Sequence, residues 1–295
     1  MRFDVVATNP PFQDRTARKR TPHKLWIDFT LAAFDRLLAP GGLLLQISPA
    51  SFQSPSSKVL RLMRQLDTSL LNFDVSHHFP KVGSSFAYYA IRNRPRRDDT
   101  VVVTDGRRFA FPLDEGVLWL PADLGREALS IHRKTMWGRH PRLTVEHDYV
   151  TCHNLRLVDT LSKTATDEHI HPVFHTNAQV WYSAVRQRFA DQPKVMWTRS
   201  GYTRPFADAG VYGGTDMVYF VVCRSSEAAE NLAHNLNLPL FRYILRTAKW
   251  SGFGNEIVFH GLPALPDDRR LTAAELDELF GLTPQERAYV ERHLG

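Results

Sequence analysis

The chain has 295 residues, 43% of them hydrophobic and 23% charged, with a formal net charge of +6. That is enough for one large domain or two modest ones with real cores, and no apolar run approaches the roughly 20 residues of a membrane-spanning helix. The two cysteines, Cys152 and Cys223, are far apart and in no ligand spacing, which speaks against a disulfide framework or zinc module and fits a reducing cytoplasm.

Taken in chain order, the start is not a secretory leader, because Asp4 arrives too early for an apolar stretch. Phe3 to Ala7 reads as a short buried strand ending in a polar-proline turn. Lys24 to Leu38 has apolar residues at helical spacing (Leu25, Phe29, Ala32, Ala33, Leu37) and stops at Ala39-Pro40-Gly41-Gly42. Leu43 to Ile47 is a continuous apolar run, as in a parallel strand covered on both faces. A helix over Lys58–Leu66 and strands over Leu70–Val75 and Phe86–Ile91 complete a βαβαββ order, which predicts an α/β fold with part of a doubly wound sheet. The basic connection from Arg92 to Asp99 marks a boundary, giving domains over 1–97 and 98–268. The second region mixes short β-like runs with helical pieces, an α+β pattern. A tail over 269–295 carries two capping-box spacings, Thr272 to Glu275 and Thr283 to Glu286, so two short helices close the chain.

The segment with chemical content is Asp4-Val5-Val6-Ala7-Thr8-Asn9-Pro10-Pro11-Phe12. It places a polar side chain and two prolines at the C-terminal tip of a strand, the end that faces the ligand crevice in open α/β sheets. The prolines stiffen the backbone and remove two N–H donors. The Asn9 amide oxygen and the Pro10 carbonyl then stand as paired acceptors for a planar NH₂ group, and Phe12 adds a flat apolar face for a heterocycle. No general base is needed before a methyl group moves, so placement and orientation carry much of the rate.

These residues resemble the catalytic motif of adenine-specific amino-methyltransferases, and the likeness extends to the gamma-class DNA methylases of restriction–modification systems. Leu25 to Phe29 and Leu37 to Phe52 resemble the next helix, strand and loop of that family. His78 to Lys81 and Val82 to Ile91 resemble its last block before target recognition. The resemblance implies a Rossmann-like methyltransferase sheet, S-adenosylmethionine as cofactor and double-stranded DNA as partner. It also implies that Asn9, Pro10, Pro11 and Phe12 are catalytic, that Phe12 and Phe79 sandwich an extruded adenine with Phe86 in reserve, and that Asp4 and Asn9 lie at the cofactor edge. Looser likeness covers Gly214-Thr215-Asp216, Trp250 to Phe253, Leu262-Pro263 and the closing helices.

The departure from that family is upstream, where its members carry a glycine-rich strand–loop–helix for the cofactor. The expectation is therefore a chain lacking that half, which leaves the edge beside Phe3–Ala7 open and calls for another segment or partner chain to supply it. A non-catalytic DNA-binding or specificity protein, or a methylase acting on RNA, are the alternatives. Arg15, Arg18, Lys19, Arg20 and Lys24 are candidate phosphate contacts beside the catalytic loop. Arg186, Arg188, Arg199 and Arg204, interleaved with Trp181, Tyr182, Trp197 and Tyr202, are the candidates for groove readout. The histidines at 153, 169, 171 and 175 lack metal-ligand spacing and read as hydrogen-bonded loop residues.

Overall fold

The computed structural model describes residues 1–13, 24–75, 78–79, 85–157, 159–200, 204–248 and 256–294. The chain divides into two compact units, Met1–Leu129 and Ser130–Gly295. Among the described residues no helix is long and apolar enough to cross a membrane.

In chain order the first unit holds β1 (Phe3–Thr8), α1 (Leu25–Ala32) continued by a π-helical turn Ala33–Leu37, β2 (Leu38–Pro49) and α2 (Lys58–Gln65). β3 (Leu66–Asn72), β4 (Phe86–Pro95), β5 (Thr100–Thr104) and β6 (Arg107–Phe111) follow. The expected βαβαββ order is present, and the strands form one sheet in the order β1-β2-β4-β3-β5-β6. β1 pairs with β2, and β3 with β5, in parallel; β4 runs antiparallel between β2 and β3, and β6 antiparallel on β5. The sheet is thus mixed, in keeping with the α/β class read from the sequence. β6 shows why: two residues, Asp105 (φ 50°) and Gly106 (φ 69°), separate it from β5, and a connection that short allows only an antiparallel return. The Asp74 carboxylate fixes that turn, accepting from the Asp105 and Gly106 N–H groups at 2.6 and 2.8 Å. Because β5 and β6 belong to this sheet, the first unit runs past the boundary expected at residue 97.

Two further expectations change with packing. β1 is an edge strand whose Phe3 and Val5 are 42% and 55% exposed, whereas the sequence pointed to a buried one; an apolar run does not reveal whether its faces are covered. α1 packs on the sheet through Trp26, Thr30 and Ala33, while Phe29 and Leu37 stay 46% and 40% exposed. The buried stripe has the i, i+4, i+7 spacing. It admits a threonine because the Thr30 hydroxyl donates to the Trp26 carbonyl at 2.8 Å. Close approach of β1 to β2 needs Gly42, where a Cβ would lie 3.0 Å from the carbonyl oxygens of both Phe3 and Ala39. α2 starts at Ser57, whose hydroxyl accepts from Leu60 N–H at 3.2 Å, and buries Val59, Leu60 and Met63.

α3 (Arg126–Thr135) runs across the division between units. The second unit then has β7 (Glu146–His147), β8 (Leu161–Ser162), β9 (His171–Phe174), β10 (Val180–Ser183), β11 (Lys194–Thr198), β12 (Phe206–Asp208), β13 (Gly213–Gly214) and β14 (Val218–Val222). Its helices are α4 (Ser226–Leu236), α5 (Pro239–Thr247), α6 (Glu256–His260), α7 (Ala273–Leu279) and α8 (Pro284–Leu294). The strands make two small sheets, β13-β9-β10-β8 and β12-β11-β14-β7. Phe174, Phe189, Met196, Val218 and Phe220 form one apolar core cluster. Cys152, Leu161, Val173 and Trp181 form another.

A sealed ion pair ties β11 to β12: Lys194 Nζ lies 2.5 Å from Asp208 Oδ2 and also donates to the carbonyls of Ala190 and Gln192. Asp208 in turn accepts from the N–H groups of Gly210, Val211 and Tyr212. Both closing helices carry the expected capping boxes, Thr272 with Glu275 and Thr283 with Glu286. They do not form a separate tail over 269–295. Tyr289 packs edge-on to Tyr243 of α5 at 5.9 Å, and Glu286 accepts from Lys134 at 2.7 Å.

Candidate active site and nucleic-acid interface

Register brings the site together. Thr8 pairs with Gln46, Pro49 with Phe86, and Asn72 with Tyr88. The C-terminal ends of β1, β2 and β3 therefore meet the start of β4 along one edge of the sheet. Asn9 is the first residue beyond β1 and is exposed; Pro10 behind it is buried. Among the described residues the Asn9 side chain has no hydrogen-bond partner, which leaves its amide oxygen available. Phe12 is half-buried and leans on Phe86 with ring centres 5.2 Å apart. Phe79, also half-buried, leans on the same ring at 4.5 Å. Phe86 itself is 1% exposed. It is the plate on which the two half-buried rings rest.

Beneath this edge lies a neutral polar cluster that the sequence reading passed over. Gln46 donates to Thr30 Oγ1 at 2.8 Å and lies 3.4 Å from the Trp26 carbonyl, while the Tyr89 hydroxyl is 3.3 Å from Thr30 Oγ1. Burial pushes the Tyr89 phenol up to about 12, so the cluster stays uncharged at any physiological pH. It fixes α1 against β2 and β4 directly behind the Asn9 loop. A single glutamine inside the apolar run Leu43–Ile47 was the available signal.

Other candidates fall elsewhere. Asp4 sits at the opposite end of β1, five residues or about 16 Å of strand from Asn9. Lys24 is exposed just ahead of α1; Arg15, Arg18, Lys19 and Arg20 lie outside the described residues, as do Tyr202 and Trp250 to Phe253.

The four arginines of the second unit do not form one cluster. Arg186 and Arg188 follow β10 and line a cleft of about 430 Å³ with Glu146 and Asp148. Arg186 pairs with Asp191, and Arg188 with Glu146 at 3.3 Å. Burial favours the neutral form of Asp148, but hydrogen bonds from Thr151, Val150 and Gln187 outweigh it and hold the carboxyl below its usual range. This cleft is charge-compensated. Arg199 follows β11 at its other end, and because Met196 pairs with Phe206, Arg204 arrives at that same end. Trp181 and Trp197 are buried. Trp181 stacks on His175 at 3.7 Å and Trp197 packs edge-on to Phe259 at 5.7 Å, so both serve the core.

Three of these four histidines are tied into the structure by hydrogen bonds: His175 Nδ1 to Thr215 Oγ1 at 2.8 Å, His169 Nδ1 to Thr166 Oγ1 at 3.0 Å, and His153 Nδ1 accepting from Leu155 N–H at 3.2 Å. Among the described residues no group of three or more His, Cys, Asp or Glu side chains is placed to hold a metal ion. Cys152 and Cys223 are both free thiols, and burial pushes each up to about 11.

No family model matches the sequence, and no curated protein matches it. Three solved structures similar to this chain are of restriction–modification proteins. The M protein of the type I restriction enzyme EcoKI aligns at 20% identity over 34% of this chain and 25% of its own, with a TM-score of 0.28. A type I restriction–modification complex aligns at 17% identity over 46% of this chain and 29% of its own, also with a TM-score of 0.28. The type IIL restriction–modification enzyme MmeI, solved in complex with DNA, aligns at 8% identity over 98% of this chain and 56% of its own, with a TM-score of 0.45. The chain spans between a quarter and just over half the length of these structures.

Proposed function

We propose that this chain is the catalytic-loop and target-recognition part of an adenine-specific DNA methyltransferase. The observation that carries the reading is the Asn9-Pro10-Pro11-Phe12 loop at the C-terminal tip of β1, with its amide unspent and Phe12 and Phe79 leaning on one buried ring. In this reading Asn9 Oδ1 and the Pro10 carbonyl accept the two hydrogens of the adenine 6-amino group. That draws the nitrogen lone pair out of conjugation and aims it at an electrophile. Phe12 and Phe79 hold the extruded base flat. The amine sheds its proton after attack, so no side chain needs to act as base beforehand.

S-adenosylmethionine would supply the electrophilic methyl group. Among the described residues the open side of β1 carries no glycine-rich strand–loop–helix, so we assign the holding of the cofactor to polypeptide outside these residues that pairs with that edge. The exposed Phe3 and Val5 on β1, with Phe29 and Leu37 nearby in sequence to its partner strand, are the apolar groups such a segment would cover.

The test is methyl transfer by the assembly purified from its native cells through a tag on this chain. Given radiolabelled S-adenosylmethionine and a randomised DNA duplex, it should place label on the adenine 6-amino group. The Asn9→Ala assembly should lose at least ~10²-fold in turnover, as for other lost transition-state acceptors or donors, with DNA retention unchanged. Equal turnover in both assemblies, or label on cytosine or RNA, would overturn the assignment.

A further inference from the structure

We propose that the turn between β9 and β10 is a base-reading finger, with the Asn177 and Gln179 amides facing base edges in the major groove and Arg199 and Arg204 beside it contacting phosphates. The proposal rests on the DNA-binding reading above and assigns the readout within it to residues that the arginine pattern in the sequence did not single out.

β9 and β10 pair up to Phe174 and Val180. Beyond them His175 N–H donates to the Gln179 carbonyl at 2.7 Å, and Gln179 N–H to the Thr176 carbonyl at 3.3 Å. The reversal therefore uses only Asn177 and Ala178, at φ 57° and 58°. Asparagine tolerates that left-handed backbone; alanine does so at a cost of roughly 1–2 kcal/mol. Strain held at an exposed tip persists where the surroundings over-determine it, and here they do. The His175 ring stacks on Trp181 and bonds to Thr215, while the Thr176 hydroxyl is 2.9 Å from that of Ser200. Asn177, Ala178 and Gln179 are all exposed. The result is a narrow two-stranded ribbon with a pinned base and a polar tip.

Such a ribbon fits the major groove, about 12 Å wide, and an asparagine or glutamine amide matches the acceptor and donor that adenine presents there. The Thr176–Ser200 contact sets the tip at the end of β11 that carries Arg199 and faces Arg204. Arginines flanking a reading element supply the sequence-independent part of binding. The acid-lined cleft of Arg186 and Arg188 lies at the opposite end of β10.

The test is repeated selection from a randomised DNA duplex pool by the full chain, beside an Asn177→Gly, Gln179→Ala double variant in which glycine keeps the turn. The wild type should enrich a motif. The variant should hold the pool as tightly while its preference at one or two positions falls about 5- to 150-fold, the range for a lost bidentate contact. Arg204→Gln should instead weaken retention of every sequence alike. If the double variant fails to fold, Gln179→Ala alone, outside the left-handed residues, is read in the same way. Enrichment of an unchanged motif by the variant, or a wild type that binds the pool without selecting any sequence, would overturn the finger while leaving DNA binding intact. A wild type that does not bind the pool at all overturns the DNA reading itself, and the finger with it.

Discussion

In the first unit the buried polar groups under the β1 loop are neutral, Thr30, Gln46 and Tyr89, and Thr30 is bonded to each of the other two. In the second the group that ties β11 to β12 is an ion pair, Lys194 with Asp208, sealed from solvent and supplemented by backbone groups. The ion pair has a partner for each charge, whereas among the described residues the Gln46 amide oxygen in the neutral cluster has none; the two also differ in what a single loss leaves behind. An orphaned hydroxyl or amide in a core lacks one hydrogen bond, whereas an orphaned carboxylate lacks its counter-charge in a medium that barely solvates it. The unit read as the recognition part is therefore the more brittle to mutation, and the loop unit the more forgiving.

Breaking the ion pair should give the largest effect. Lys194→Met leaves Asp208 buried beside three N–H donors and no cation, and should destabilise the second unit by about 3–5 kcal/mol. Denaturant unfolding followed by tryptophan fluorescence checks this, since Trp181 and Trp197 report on that unit. A loss below ~1 kcal/mol would show that the pair is dispensable. Thr30→Val comes next: it removes the contacts of both Gln46 and Tyr89 with the Thr30 hydroxyl and should cost about 1–3 kcal/mol, read as a shift of the first unit's transition. A loss equal to that of Lys194→Met would erase the contrast between the units.

The smallest effect concerns His175 at the base of the finger. Burial, aided by Lys163 and opposed by Asp216, holds its pKa below the ordinary 6.5. The folded chain keeps the ring neutral while the unfolded chain protonates it. The unfolded state thus binds more protons as pH falls below 6.5, and stability declines there; above 6.5 the group has no influence. His175→Gln should flatten that part of the stability–pH curve, and an unaltered slope would place the titration elsewhere.

Legibility in the sequence followed range. The strand-tip position of Asn9-Pro10-Pro11-Phe12, the helix over α2 and the two capping boxes depend on neighbours within four residues, and each is found as read. Asp105-Gly106 was an equally local hairpin signal, the residue pair that a tight β-turn favours, and it would have carried the first unit past residue 97. Ala178 gave no such signal, because alanine does not advertise a left-handed backbone. Of the apolar residues that marked α1 and its continuation, Ala33 is buried while Phe29 and Leu37 are exposed, because only the sheet decides which side of a helix is covered.

By itself, then, the amino-acid sequence determined where the backbone stiffens, where helices start and that a proline-locked asparagine ends the first strand, since these follow from local sterics and hydrogen bonding. Tertiary structure alone decided that β4 inserts antiparallel between β2 and β3, that Phe12 and Phe79 share the Phe86 ring, and that four arginines close in sequence separate to opposite ends of the strands. Strand register sets all three, and register is a pairing between distant segments that no local pattern encodes.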